Sequence, residues 1–151
     1  MEKTKNNLKT TSIVVLALAG LSLIRIIFEI FFGSFKDALN DATIPEGSPE
    51  NIILIAQIFV LVVSFLVTLP QFYIGIKGLK MAKNPDSSKG HIIWGVIVLI
   101  LNAIGLISPF VAIIKGNGDV FSNVAALLSI GVDVFILFEY VKYANTLRKE
   151  I

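Results

Sequence analysis

Three charged side chains, Arg25, Glu29 and Asp133, stand inside stretches otherwise built from Leu, Ile, Val, Phe and Ala. Charges in such surroundings bind ions, relay protons, hold a polar solute or pair with one another. Left alone at the centre of a bilayer, each costs about 2.5–3.5 kcal/mol on insertion scales. Helical spacing groups them with other polar residues. Ser22, Arg25 and Glu29 follow i, i+3, i+7 and share one face. Gln57, Ser64, Thr68 and Gln71 share another. His91, Gly95, Asn102, Gly105 and Pro109 form a third seam, and Ser122, Ala126, Ser129, Asp133 and Tyr140 a fourth. Acyl chains offer polar groups no partner, so each seam is predicted to turn inward.

With a rise of about 1.5 Å per residue, Arg25 falls just outward of the midplane of its stretch and Asp133 just inward. The sequence therefore predicts an intramembrane polar cluster of Arg25, Glu29, Gln57, Ser64, Asn102 and Asp133. In it Arg25 pairs with Asp133, Glu29 shares Arg25 from one turn away, and Ser64 and Asn102 line the same level. Glu139, near the end of its stretch, is expected to reach Lys142. Two uses follow. The cluster either sets the register of four apolar helices or serves an ion, a proton or a small polar solute.

Other chemistry is not predicted. The chain has no cysteine and one histidine, His91, so it offers no thiol nucleophile, thiolate metal site or histidine pair. It has no G-x-S-x-G elbow. Asp133 and Glu139 point about 120° apart on a helix and do not form a carboxylate pair. No catalytic, cofactor-binding or metal-binding residue is expected, and the protein is read as not an enzyme. A net charge of +2 gives no reason to expect nucleic acid as a partner.

The elements that must carry these residues are four apolar runs, 12–32, 52–76, 91–114 and 120–141. Each is close to the ~20 residues a helix needs to cross a bilayer. Of 151 residues 55% are hydrophobic and 16% charged, against about a quarter charged in soluble domains; mean hydropathy is +0.82. Lysine and arginine set orientation. Lys3, Lys5 and Lys9 precede the first run, Lys77, Lys80, Lys83 and Lys89 separate the second and third, and Lys142, Arg148 and Lys149 end the chain. The other connections hold Lys36 and Lys115 beside several carboxylates. Basic short loops remain cytoplasmic. The expected fold is an all-α integral membrane four-helix antiparallel bundle, residues 1–151 as one domain, both termini cytoplasmic, multi-pass in the plasma membrane. Abundant Lys, Ile and Asn without Cys read as bacterial. Ala17-Leu18-Ala19 resembles a cleavage site, but the apolar run continues past it, and a retained span is expected.

Finer features follow. Asn84-Pro85-Asp86-Ser87 and residues 115–119 are predicted turns. The long polar connection 33–51 is expected to cap the outer face. Pro70 and Pro109 are expected to distort their helices. Trp94, Tyr73, Tyr140 and Tyr143 are read as interfacial anchors, and His91 as an interfacial residue beside Trp94. Gly75 and Gly78, three apart, do not form the close-packing dimer motif. Ala17 and Gly20 could admit a close neighbour. The lysine-rich loop is read as a topology signal with some attraction for anionic lipid. Function is expected to be non-catalytic contact in the bilayer, as an accessory or regulatory subunit or an immunity-type protein. The partners are the lipid bilayer and another membrane protein or a second copy. The alternative is a small channel or transporter component using Arg25, Asp133, Asn102 and Gln57.

Overall fold

The computed structural model describes residues 1–32, 50–86 and 88–151, and for residues 29–32, 50–54, 56, 57, 60, 61, 63, 64 and 67 it describes the backbone alone. Most of the long connection, residues 33–49, and Ser87 of the second turn therefore lie outside the described residues. The described chain is all-helical, with 89% helix and no strand. Its elements are α1 (Glu2–Phe32), α2 (Glu50–Lys83), α3 (Gly90–Gly105), α4 (Ile107–Lys115) and α5 (Val120–Lys149). Three rods are long and apolar enough to cross a membrane: α1 through Phe28, α3 with α4, and α5. The second expected span falls in α2, much of whose first half has no described side chains.

The helices outrun the apolar stretches at the lysine-bearing ends. α1 starts at Glu2 instead of Ser12, α2 continues to Lys83 past Ile76, and α5 continues to Lys149 past Val141. Hydropathy marks how much helix suits hydrocarbon, not how far the helix extends. The added turns carry apolar residues at helical spacing and bury them. Leu8, Met81, Ala144 and Leu147 are all in the core, although each lies outside the expected spans. Each of the larger three contributes about 1.5–3 kcal/mol of burial.

Contacts divide the chain into two compact units, Met1–Leu18 with Pro70–Ile151, and Ala19–Leu69. The core of the first unit is built from one stripe per helix: Leu8, Ser12 and Val15; Ile74, Gly78 and Met81; His91, Gly95 and Val98; Leu137, Tyr140, Ala144 and Leu147. These spacings of three and four residues put each set on one helix face. Glycine allows the close approach. A Cβ on Gly75 would run into the Leu16 side chain, and one on Gly78 into Ser12 Oγ and the Tyr140 ring. The two glycines do serve close packing, but within the chain. Ala17 is exposed, and a Cβ on Gly20 would meet nothing within 4 Å among the described residues. In the second unit Leu21, Ile24, Phe28, Phe59 and Leu66 are exposed, and Thr68 is buried.

Several local signals act as expected, while Pro70 lies inside the uninterrupted helix α2. Pro109 has no N–H to give the Gly105 carbonyl four residues back, and the rod is broken between α3 and α4 at Leu106, whose N–H instead reaches Ala103 O at 3.3 Å. Gly116 ends α4 at φ 65° and Gly118 follows at φ 73°, the left-handed region where glycine is unstrained. Asp119 caps α5 by accepting the Ser122 N–H at 2.8 Å. Between α2 and α3, Ser88 N–H donates to Asp86 Oδ1 at 3.0 Å, an Asx turn.

Gly78→Ala is expected to lower stability by about 1–3 kcal/mol through overpacking. Gly131→Ala, with open space at its Cβ, should be neutral or raise stability by up to about 1 kcal/mol. Thermal unfolding in detergent, followed by circular dichroism, compares the two. Equal effects would mean that the helices do not touch at Gly78.

Candidate functional site

Asp133 projects from the middle of α5, one turn before the buried Leu137. It is half-buried in a small cleft with Val15, Leu18, Gln71, Ile136 and Leu137. The cleft has about 10 Å³ of accessible room, no more than a single water. Gln71 is the one other polar residue lining it. The sequence placed Gln71 on the polar face of its helix but did not join it to Asp133. Its position three residues before Ile74, on the stripe that enters the core, was the available signal.

The other members of the predicted cluster fall differently. Asn102 is half-buried, and its side-chain amide donates to Val98 O of its own helix at 2.9 Å. Its donor is thus held by the α3 backbone. Arg25 is exposed on α1 in the second unit. The side chains of Glu29, Gln57 and Ser64 lie outside the described residues. Glu139 meets Lys142 at 3.0 Å, as expected.

The predicted inward seams hold only in part. His91, Gly95, Pro109 and Tyr140 are buried, and Thr68 likewise. Gly105, Ser122 and Ser129 are exposed. The buried seam residues of the first unit gather where the lysine-bearing ends pack.

A second polar group sits inside the core and corrects the reading of two residues. Tyr140 and His91 were expected at an interface, yet they are 0% and 1% exposed. The Tyr140 hydroxyl donates to Ile74 O on α2 at 3.0 Å. Its ring occupies the space that Gly78 leaves and lies against Gly95 of α3. His91 packs edge-on to it, with ring centroids 6.3 Å apart, and places Nε2 3.1 Å from Met81 Sδ. His91 Nδ1 is buried without a hydrogen-bond partner among the described residues. Ser12 Oγ donates to Leu8 O at 2.6 Å, so its proton is already committed. Tyr140 and His91 had each been placed correctly on an inward seam; a general preference of Tyr and His for interfaces misled the reading of their exposure.

Chemically the two groups differ. The Tyr140 group is closed, with both hydroxyl donors engaged and the rings enclosed, and it acts as a clasp between helices. The Asp133–Gln71 cleft is small but open at one side, and can hold a proton or a water between a carboxylate and an amide. Comparison with family models, with curated proteins and with solved structures finds no match for the chain.

Tyr140→Phe keeps the ring and removes the bond to Ile74 O. It is expected to lower stability by about 1 kcal/mol, while Tyr140→Ala should cost about 3–5 kcal/mol by opening a cavity. Detergent-phase thermal melts distinguish these. A Phe variant as damaged as the Ala variant would assign the clasp to the hydroxyl instead of the packed ring.

Proposed function

We propose that this protein is a non-catalytic, multi-pass protein of a bacterial plasma membrane that acts through contacts within the bilayer. It works as an accessory or regulatory subunit or as an immunity-type protein. The supporting arrangement is an antiparallel four-helix bundle with both termini cytoplasmic. Gly75 beside Leu16 and Gly78 beside Ser12 fit α2 running opposite to α1. Gly95 beside Val141, and Phe110 beside Leu127, fit the same relation between α3–α4 and α5. Large exposed apolar residues such as Ile97, Leu101, Phe121, Leu128 and Phe135 suit lipid contact. In the most apolar windows of α3–α4 and of α5 only 6% of residues are buried.

The observation that carries the contact reading is the clasp. Ser12, Gly78 and Tyr140 meet with no room for one added methyl group. A polar solute crossing this set of helices would have to pass a packed, apolar end. The exposed seam residues Gly105, Ser122 and Ser129 support a neighbouring chain, either another membrane protein or a second copy, because small and polar residues are what close helix contacts in lipid use. The Asp133–Gln71 cleft favours the alternative, a channel or transporter component for an ion or small polar solute, with Asn102 and Gln57 contributing. In both readings Arg25 pairs with Asp133, and Glu29 and Ser64 complete the intramembrane cluster.

Arg25→Leu alone is expected to cost about 3–5 kcal/mol by stranding a charge, and Arg25→Leu with Asp133→Leu to restore most of that loss. Detergent melts and membrane yield report both. Under the contact reading, wild-type protein in liposomes passes no ions or protons. Wild-type flux abolished in a well-folded double variant would replace it with the transport reading.

A further inference from the structure

We propose that the groove between α1 and α2 at the lysine-bearing end seats one anionic phospholipid, headgroup on the lysines and upper acyl chain on the apolar floor. The inference uses the membrane reading above and goes beyond it by naming a ligand and its place.

The groove is lined by Lys9 and Ile13 of α1 and by Ile76, Leu79, Lys80 and Lys83 of α2. The positions 9 and 13 are one turn apart, and 76, 79, 80 and 83 follow i, i+3, i+4, i+7, so each helix offers one continuous face. Its volume is about 500 Å³, within the range of small-ligand sites. Polarity is graded along its length. Ile13 and Ile76, 49% and 48% exposed, lie inside the first and second apolar runs. Lys9, Lys80 and Lys83 lie just beyond those runs, all exposed. A phospholipid has the same gradient, with acyl chain below and phosphate above.

Two further features support a lipid over a passing ion. The back of the groove is rigid, because Gly75 and Gly78 bring α2 against Leu16 and Ser12 of α1 with no spare space. The three ammonium groups are also not neutralised internally. The ion pairs seen among the described residues, Lys142 with Glu139 and the terminal amine with Glu150, involve none of the three, and no carboxylate lines the groove. Neighbouring Lys77 lies over the Tyr73 ring, 6.0 Å from its centroid. Three convergent lysines at a membrane surface each add attraction for a negative headgroup, and a zwitterionic lipid with no net charge gains far less.

The test uses the full chain, extracted in mild detergent and supplied with equal amounts of phosphatidylglycerol and phosphatidylcholine bearing the same acyl chains. Bound lipid is counted by native mass spectrometry. One phosphatidylglycerol per chain should be retained, about tenfold over phosphatidylcholine. Lys9→Gln with Lys80→Gln and Lys83→Gln should abolish that preference, and the three arginine replacements should keep it. Lys3→Gln with Lys5→Gln and Lys149→Gln removes equal charge elsewhere and should leave it intact. If the glutamine triple fails to accumulate, Lys80→Gln alone should weaken the preference roughly twofold, its share of a tenfold factor spread over three charges. Equal loss in the control triple would overturn the groove in favour of diffuse charge attraction. Displacement of the lipid by millimolar glycerol phosphate would reduce it to a headgroup site and overturn the proposal. A chain soluble without detergent would instead sink the membrane reading itself.

Discussion

Tyr140 can lie at the centre of the packed helices only because Gly78 has no side chain. Its ring fills that space, its hydroxyl reaches Ile74 O, and its edge rests on Gly95. One aromatic residue thus touches α2 and α3 from α5, and two of its contacts are glycines. Helical glycine loses about 1 kcal/mol against alanine in propensity. That loss is offset here by dispersion between surfaces that approach closely, the main attraction left between helices when lipid tails are as apolar as leucine. Gly75, three residues earlier on the same face, extends the close approach to Leu16 and Ser12 of α1. His91 and Met81 then fill the remaining space. Remove the two glycines and neither α1 nor α5 can reach its present distance from α2.

Much of this was legible in the sequence, and the failures share a cause. Helical class, the three described rods able to cross a membrane, the break before Pro109, the glycine turn after Lys115 and the Asp119 cap are local properties, and local chemistry fixed them. The overrun of α1, α2 and α5 was missed because lysines and asparagines hide the buried stripe. Leu8, Ala144 and Leu147 stand at core spacing inside strongly polar text. Gly75 and Gly78 were weighed only against a four-residue dimer spacing, whereas contact between unlike helices needs no such repeat. Tyr140 and His91 were judged by residue type when their seam position was the better guide. Asp133 was placed by depth alone; that Gln71 lines its cleft follows from the stripe that leads into Ile74.

Asp133 stands where the packing changes character. One turn onward Leu137 is buried in the core, and one turn back Ser129 is exposed. The carboxyl group lines a small cleft together with Leu137, Ile136 and the Gln71 amide. A group deep in the core would need a full set of internal partners; one at the rim can be reached by water or by another chain.

Under the proposed contact role, burial and exposure separate two jobs along the helices. At the lysine-bearing end the seams are consumed internally, so glycine, serine and tyrosine serve cohesion and leave charge only on the outer surface, where a headgroup can meet it. Further along α3–α4 and α5 the seam residues Gly105, Ser122 and Ser129 are exposed. Exposed leucine or phenylalanine gains nothing from a protein neighbour that lipid would not give, but an exposed glycine or serine admits a backbone closely and can bond to it. Cohesion and recognition thus draw on the same residue types. What divides them is whether the seam residue is buried, as around Tyr140, or exposed among the described residues, as at Gly105, Ser122 and Ser129.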